Sequence, residues 1–209
     1  MRIILLAAAL AAALHAETWR FDNLKKIGGH AVKVQGNPKL IETSRGRSIE
    51  FNGVDDALFF DVHPLAGATE FTWEVIFRPD RGGRPEQRFF HFQETGSETR
   101  MLFETRLLGD EWCLDTFIRT DAGSATLLDR TKLHALGEWY HIAAVYDGKE
   151  LRSYINGVPE LKADLKFVPE KAGRTSVGVR INLRDYFKGA VREARMTKKA
   201  LQPSQFLKP

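Results

Sequence analysis

The segment from Glu138 to Glu160, EWYHIAAVYDGKELRSYINGVPE, constrains the fold of this chain more than any other part of the sequence. It contains two short runs rich in aromatic and β-branched residues, Tyr140 to Tyr146 and Leu151 to Ile155. Asp147-Gly148 separates the runs and Asn156-Gly157 follows the second, and Asx-Gly pairs are typical of tight turns because glycine tolerates positive φ. The segment therefore predicts antiparallel strands joined by tight turns.

Runs of the same character are distributed along the rest of the chain. The sequence predicts strands at Trp19 to Leu24, Ala31 to Val34, Ser48 to Phe51, Ala57 to Asp61, Phe71 to Pro79, Arg88 to Gln93, Met101 to Arg106, Trp112 to Thr120, Ala125 to Leu128, Thr175 to Val179 and Tyr186 to Met196. Turn residues separate these runs at short intervals, and the pattern shows no long helical periodicity, internal repeat or linker. Such a pattern predicts an all-β chain folded as a two-sheet antiparallel sandwich.

Three stretches resemble motifs of laminin-G-like (LamG) domains in the concanavalin A-like lectin/glucanase superfamily. The hairpin resembles the signature W-x-H-[IV]-A-x-[VT]-[YF]-D-G-x-x-[LV]-x-x-Y-[VI]-N-G. Ser48 to Phe60 resembles the element F-[DN]-G-x-x-D-x-[LV], and Tyr186 to Met196 resembles the closing strand G-x-[IV]-D-[ED]-[VF]-R-[IV]. A fourth stretch, Phe71 to Pro79, resembles the family's strand F-T-[VI]-E-x-W-[VF]-[KR]-P, with Ile76 where the family has Trp, and Arg192 stands where the closing strand has Asp. The resemblance implies a jelly-roll β-sandwich.

The N-terminus has the pattern of a secretory signal peptide. Met1-Arg2 precedes the uninterrupted apolar run Ile3 to Leu14, and Ala16 is followed by polar residues. We expect a signal peptide over residues 1–16 and one domain over 17–209, in a secreted, periplasmic or cell-surface protein. The alternative is an uncleaved anchor, although the run is too short to span a bilayer, and the mature chain has no other run of spanning length.

Charge and cysteine content narrow the function classes. The chain has 31 basic and 27 acidic residues, a net charge of +4, and the basic residues are spread out. We therefore do not predict a nucleic-acid-binding surface, whereas an acidic glycan is compatible with the charge. Cys113 is the only cysteine, so the chain has no internal disulfide, and its apolar neighbours predict a buried, inert thiol.

Strand alternation places polar side chains on one predicted sheet face. Three successive strands contribute His91, Gln93, Glu104, Arg106, Asp115 and Arg119. Phe89 and Phe117 are expected on the same face, and Arg152 and Tyr154 share a face of the hairpin. This set is a candidate ligand site, in which polar groups bind sugar hydroxyls and a ring stacks on a sugar. The alternative is an ordinary solvated face with cross-strand charge pairs.

The four tryptophans are alternative sugar platforms. Trp73, Trp112 and Trp139 occur in apolar, strand-like contexts, and we expect them in the core. Trp19 is too near the terminus for an assignment.

The resemblance also implies a possible Ca²⁺ ion, since many relatives hold one with acidic side chains and carbonyl oxygens. The candidate ligands are Asp55, Asp56 and Glu193. The alternative for the two aspartates is turn chemistry alone. The histidines have no H-x-H or H-x-x-x-H spacing, so a zinc site is not predicted.

No catalytic residues are assigned. The glucanase string E-x-D-x-x-E is missing, and Tyr186-Phe187-Lys188-Gly189 resembles one alginate lyase motif without its two companions. We predict an exported, non-catalytic, lectin-like protein that binds a glycan or polysaccharide. The alternatives are a glycoside hydrolase or lyase with an unrecognised site, and an adhesion module that binds a cell-surface protein.

Overall fold

The computed structural model describes residues 16–208, so the predicted signal peptide lies outside the described residues except for Ala16. The strands are β1 (Ala16–Arg20), β2 (Lys26–Ile27), β3 (His30–Ala31), β4 (Lys33–Gln35), β5 (Lys39–Thr43), β6 (Gly46–Asn52), β7 (Ala57–Phe60), β8 (Phe71–Pro79), β9 (Glu86–Glu94), β10 (Arg100–Leu108), β11 (Glu111–Thr120), β12 (Gly123–Leu128), β13 (His134–Ala135), β14 (Tyr140–Tyr146), β15 (Glu150–Ile155), β16 (Val158–Asp164), β17 (Gly173–Val177) and β18 (Lys188–Thr197). A single 3₁₀ turn, Pro203–Gln205, follows. In the described part of the chain, no helix is long and apolar enough to cross a membrane.

The strands form two large antiparallel sheets. Sheet I has the order β16-β15-β14-β8-β18-β6-β5, with β1 also paired to β18. Sheet II has the order β12-β11-β10-β9-β17-β7-β4, with β13 also paired to β11. Strands β9 to β12 are successive neighbours in sheet II, and β14 to β16 are successive neighbours in sheet I. The chain crosses from one sheet to the other after β4, β6, β7 and β8, and again after β13, β16 and β17. The predicted all-β, two-sheet sandwich is confirmed.

Each predicted strand overlaps an observed one, and the bounds of β8 and β14 agree with the prediction. The sequence did not predict β5 and β16. Both strands lie at the ends of sheet I, and their sequences KLIET and VPELKAD mix few strand-forming residues with charges and a proline. Edge strands of this kind avoid pairing with other chains, which is why they lack the dense apolar pattern of central strands.

The two Asx-Gly turns form as predicted. Asp147 accepts hydrogen bonds from the backbone N–H groups of Lys149 and Glu150 at 3.0 and 2.9 Å. Asn156 and Gly157 adopt φ angles of 51° and 80°, and Ile155 pairs with Val158 across them. Positive φ at both central residues is the type I′ geometry that matches strand twist. The hairpin therefore continues into a third strand, β16.

An aromatic core joins the inner faces of the sheets. Trp73 of sheet I stacks on Phe103 of sheet II with ring centres 3.9 Å apart. Phe77 of sheet I stacks on Phe89 of sheet II at 4.4 Å. Large rings bury much apolar area per residue, and this burial is the main stabilising contribution of the core.

The tryptophan predictions are partly correct. Trp73 and Trp112 are fully buried, as expected, and so is the unassigned Trp19. The prediction for Trp139 was wrong, because this residue precedes β14 and is only half-buried. The guanidinium carbons of Arg78 and Arg192 each lie 5.6 Å from its ring centre. These cation–π contacts surround the ring in place of apolar core side chains.

The C-terminal segment packs on the outer face of sheet I. Leu201 and Phe206 form a small apolar cluster there with Ala143, Val145 and Tyr154. This segment therefore covers the outer face of sheet I over β14 and β15.

Candidate functional site

The strand register shows which side chains share the outer face of sheet II. Met101 and Phe103 of β10 point into the core, so the alternate residues of β10 point outward. Glu104 lies directly opposite Asp115, and Leu102 lies opposite both His91 and Phe117. The six side chains predicted to share a face, His91, Gln93, Glu104, Arg106, Asp115 and Arg119, do lie on one face of β9, β10 and β11. Their role in ligand binding stays a prediction.

One end of this face is a row of directly opposed side chains, which we call the arginine row. Arg174 of β17 lies opposite Gln93 of β9, which lies opposite Arg100 of β10. Arg100 in turn lies opposite Arg119 of β11. Arg119 and Arg174 are exposed, and the guanidinium of Arg100 lies 4.9 Å from the ring centre of Phe117.

The other end is a buried ion network. Arg106 lies 2.5 Å from Asp115 and 2.8 Å from Glu104. Arg88 lies 3.1 Å from Glu104 and also pairs with Asp185. Not all of these contacts have the angles of good hydrogen bonds, but the N–O distances show that the charges neutralise one another. Glu104 and Asp115 are 4% and 2% exposed, so these two carboxylates are closed to solvent, whereas the side chains of Arg88 and Asp185 are 15% and 30% exposed.

Burial shifts the protonation of two groups on this face. Burial raises the pKa of Asp115 to about 6, although the nearby Arg106 acts in the opposite direction. Burial, reinforced by Arg180 and Arg100, holds the pKa of His91 well below its usual value, so the imidazole is neutral. Its Nδ1 accepts the N–H of Ile181 at 3.0 Å, which places the proton on Nε2.

A β-bulge changes the face of one predicted residue. The register of β9 against β10 shifts so that Phe103 pairs with Phe90 and Glu104 pairs with Arg88. Phe89 is therefore the extra residue, and its ring lies in the core and not on the polar face. The prediction for Phe89 was wrong because strict alternation does not hold across a bulge. The same shift brings Arg88 onto the outer face.

The loop between β17 and β18 folds over the edge of this face. Its residue Asp185 accepts the backbone N–H of Arg88 at 2.9 Å and also pairs with the Arg88 side chain. Leu183 and Asp185 have φ angles of 60° and 59°, in the left-handed region that non-glycine residues rarely adopt. The Arg88 contacts and the Ile181–His91 hydrogen bond hold this strained loop against the sheet.

Arg152 and Tyr154 do not join the other predicted ligand residues. Both belong to β15 in sheet I, on the opposite side of the sandwich. Tyr154 is 7% exposed because Phe206 packs edge-on against it at 5.2 Å. Arg152 pairs with Asp147 and Glu150. The prediction of one site containing all eight residues was wrong, because strand order is not encoded in the local pattern.

The three candidate calcium ligands do not form a ligand set. Asp56 is buried, and its two oxygens accept the backbone N–H groups of Asn37 and Asn52 at 2.6 and 3.0 Å. Glu193 lies on β18 opposite Arg20, in another part of the molecule from these turns. Between residues 16 and 208, no group of three or more His, Cys, Asp and Glu side chains is arranged to hold a metal ion. Calcium binding stays a prediction, and turn formation accounts for Asp56.

The remaining groups on this face do not form a nucleophilic centre. Cys113 is a free, buried thiol, and burial raises its pKa, as expected for an inert cysteine. Glu104 and Asp115 both contact Arg106 and have almost no exposed surface, so neither is positioned to exchange a proton with a substrate. The accessible part of the face can bind and orient a ligand.

Sequence reasoning missed the residues that make this face distinctive. Arg100 precedes the predicted strand by one residue, and Arg174 precedes another, so neither entered the alternation argument. Arg180 comes from a loop, and Arg88 reaches the outer face only because of the bulge in β9. The sequence does contain a pattern that predicts the position of Arg100. The spacing Arg-x-Leu-x-Glu-x-Arg over residues 100–106 places Arg100 on the same face of β10 as Glu104 and Arg106.

A laminin-G family model, described as the concanavalin A-like lectin/glucanases superfamily, matches residues 52–205, which confirms the resemblance inferred from the motifs. Among solved structures, the chain is similar to domain 4 of AbnA, a GH43 extracellular arabinanase from Geobacillus stearothermophilus, in complex with arabinotriose. The TM-score is 0.62 at 17% identity, over 92% of this chain and 95% of that one.

Toxin domains share the same architecture. The binding domain of Paraclostridial Mosquitocidal Protein 1 has a TM-score of 0.68 at 12% identity, over 91% of this chain and 50% of that one. For the botulinum neurotoxin serotype G binding domain the values are 0.63 and 10%, over 90% and 48%. The chain thus spans about half the length of these toxin domains. No curated protein matches it. At such identities the likeness is one of fold.

Proposed function

The chain belongs to the concanavalin A-like lectin/glucanase superfamily, and from this premise we propose that it is an exported, non-catalytic protein that binds carbohydrate. The fold supports many activities, so the proposal depends on the site and not on the family alone.

The observation that carries the proposal is the accessible end of the outer face of sheet II. The half-buried ring of Phe117 lies beside the guanidinium of Arg100, and exposed Arg119 is the next outward residue of β11. Sugars combine apolar ring faces with many hydroxyl groups. An aromatic ring flanked by hydrogen-bond donors is suited to both features.

The comparisons support this proposal at the level of fold. The AbnA domain was solved with arabinotriose, and two of the similar toxin segments are binding domains. The burial of Glu104 and Asp115 supports a non-catalytic role, because general acid–base chemistry needs a carboxyl group within hydrogen-bond reach of the substrate. The apolar run Ile3 to Leu14, outside the described residues, supports export.

A glycan array with the purified exported chain tests the proposal. We expect the wild-type protein to bind at least one polysaccharide class, and we expect Phe117→Ala to weaken that binding about tenfold, since loss of stacking on a desolvated ring costs roughly 1 kcal/mol or more.

Trp139→Ala is the matched control, because Trp139 also contacts arginines but lies with Arg78 and Arg192 of sheet I. This variant should bind as the wild type does. Absence of any glycan signal, or equal binding by the Phe117 variant, would contradict the proposal. Release of reducing ends or unsaturated products from a polysaccharide would instead support the enzyme alternative.

A further inference from the structure

The charges on the outer face of sheet II are segregated. At the buried end, Arg88 and Arg106 are neutralised by Glu86, Glu104 and Asp115 together with Asp185. At the other end, Arg119, Arg174 and Arg180 make no ion pair with any residue between positions 16 and 208. Arg100, whose side chain is 12% exposed, pairs with Glu98 at 3.1 Å, but the side chain of Glu98 is 71% exposed. One end of the face therefore carries an excess of positive charge.

The fold keeps these positive charges close together. Arg100 and Arg119 are directly opposite neighbours on β10 and β11, where Cβ atoms are about 5 Å apart and like charges are destabilising. Burial and the charge of Arg180 lower the pKa of Arg100, and burial, followed by the charges of Arg180, Arg100 and Arg174, lowers the pKa of His91. These mutual effects indicate that the cationic groups act on a shared region. A ligand that brings negative charge would relieve their repulsion.

The shape of the surface is elongated. The arginine row crosses β17, β9, β10 and β11, and three strand spacings of about 4.8 Å give it a length of about 14 Å. Beyond Arg174 it continues into a cleft of about 220 Å³, whose lining includes Phe59 and Ile181 and in which Lys33 is paired with Asp61 at 2.6 Å. A cationic track of this length fits several consecutive units of a chain, not one small anion.

Resting on the carbohydrate-binding function proposed above, we infer that the arginine row binds a polyuronate, that is, a polysaccharide with one carboxylate on each sugar. The planar guanidinium group binds carboxylates through paired hydrogen bonds. Each strand of the row offers a single guanidinium or, at Gln93, a neutral amide. One carboxylate per sugar matches this spacing of single charges, and Phe117 provides an apolar contact for a ring.

Isothermal titration of the exported chain with polygalacturonate tests this inference, with its fully methyl-esterified form as the neutral counterpart. We expect the acidic polymer to bind and the ester to bind at least tenfold more weakly. Binding should weaken as salt is added, because exposed charges are screened. Heparin and polyglutamate, a sulfated glycan and an acidic polymer without sugar, should both bind more weakly than polygalacturonate.

Substitutions locate the site. Arg100→Gln and Arg119→Gln should each weaken polygalacturonate binding about tenfold, the loss expected for one charge-assisted hydrogen bond. Arg119→Gln should leave the melting temperature equal or higher, because it removes a like-charge contact, so lost binding is not a folding defect. Arg45→Gln is the control for the charge change, since Arg45 is exposed in the β5–β6 turn of sheet I.

The outcomes separate this inference from the function on which it rests. If the methyl ester or a neutral glycan binds as tightly as polygalacturonate, carbohydrate binding stands and the inference is overturned. Stronger binding of heparin or polyglutamate also overturns it, in favour of sulfate recognition or a general polyanion surface. If no polysaccharide binds at all, both proposals fail.

Discussion

At the scale of a single residue, burial and ion pairing have opposite effects on the pKa of Asp115. Its carboxyl lies 2.5 Å from Arg106, which favours the ionised form, yet it is almost completely buried, which disfavours that form. Burial is the larger effect and raises its pKa to about 6. The residue therefore contributes a pH dependence to stability that an exposed aspartate would not.

The direction of this dependence follows from proton binding. Between the ordinary pKa of 3.8 and the folded value of about 6, the folded state binds the Asp115 proton more tightly than the unfolded state. The free energy of unfolding therefore falls as pH rises through this interval, by up to about 3 kcal/mol at about 1.4 kcal/mol per pKa unit. Asp115→Asn should remove this contribution.

Urea denaturation at pH 4, 5, 6 and 7 measures the effect. The variant should gain stability relative to the wild type over this series, and parallel curves for the two proteins would contradict the assignment. Asp110→Asn serves as the control, because Asp110 pairs with Arg81 but its side chain is 80% exposed.

Substitution of Asp56 distinguishes a structural role in hydrogen bonding from a role in calcium binding. Each of its oxygens accepts one backbone N–H, from Asn37 and Asn52. Asp56→Ala should lower the free energy of unfolding by about 3 kcal/mol, because it leaves the backbone N–H groups of Asn37 and Asn52, in two separate segments of the chain, without a charged acceptor. We expect the loss in melting temperature to be the same in calcium and in EDTA. A calcium-dependent rise that occurs only in the wild type would establish the predicted ion.

At the scale of elements, the β15–β16 turn sets the register of the hairpin. A methyl group at Gly157 would meet no atom within 4 Å, so only its φ of 80° opposes a side chain. Gly157→Ala should therefore destabilise the protein by about 1 to 2 kcal/mol, the cost of placing an L-residue in the left-handed region.

Thermal or urea unfolding measures this cost. Gly123→Ala is the control, since Gly123 is outside the left-handed region and its added methyl would lie 3.4 Å from the Lys166 carbonyl. The control should lose less stability than the turn variant. Equal losses would show that packing, and not backbone conformation, determines the role of the turn glycine.

At the scale of the whole molecule, one aromatic core connects the two sheets. Trp73 of sheet I contacts Phe90, Phe92 and Phe103 of sheet II, with ring centres 5.4, 4.5 and 3.9 Å from its own. The sheets therefore cannot lose their packing independently. We expect a single cooperative transition, in which secondary structure and aromatic packing are lost together.

Trp73→Ala should lower the free energy of unfolding by about 3 to 5 kcal/mol, the range for removing a large buried ring. Near-UV and far-UV circular dichroism should shift to the same new midpoint. Trp139→Ala, which removes a half-buried ring from the surface, should cost clearly less. Separate transitions in the two spectral regions would show that the sheets unfold independently.

Local sequence patterns were sufficient to predict most of the strands and the family. Alternating side chains, β-branched residues and Asx-Gly turns act within a few neighbouring residues, so the hairpin and most strands could be read directly. Alternation also placed Glu104 and Asp115 on a common face, because the bounds of β10 and β11 were nearly right.

The accessibility of these groups and the identity of their neighbours depend on how the strands pack together. A β-bulge places the ring of Phe89 in the core, and the C-terminal segment covers Tyr154. The half-buried ring of Trp139 contacts two arginines and lies outside the core. Strand order brought Arg100 and Arg119 together without acidic partners of comparable burial. These outcomes depend on contacts between residues far apart in the chain. A local sequence pattern contains no information about such contacts. The residues of the site could therefore be identified only from the folded structure.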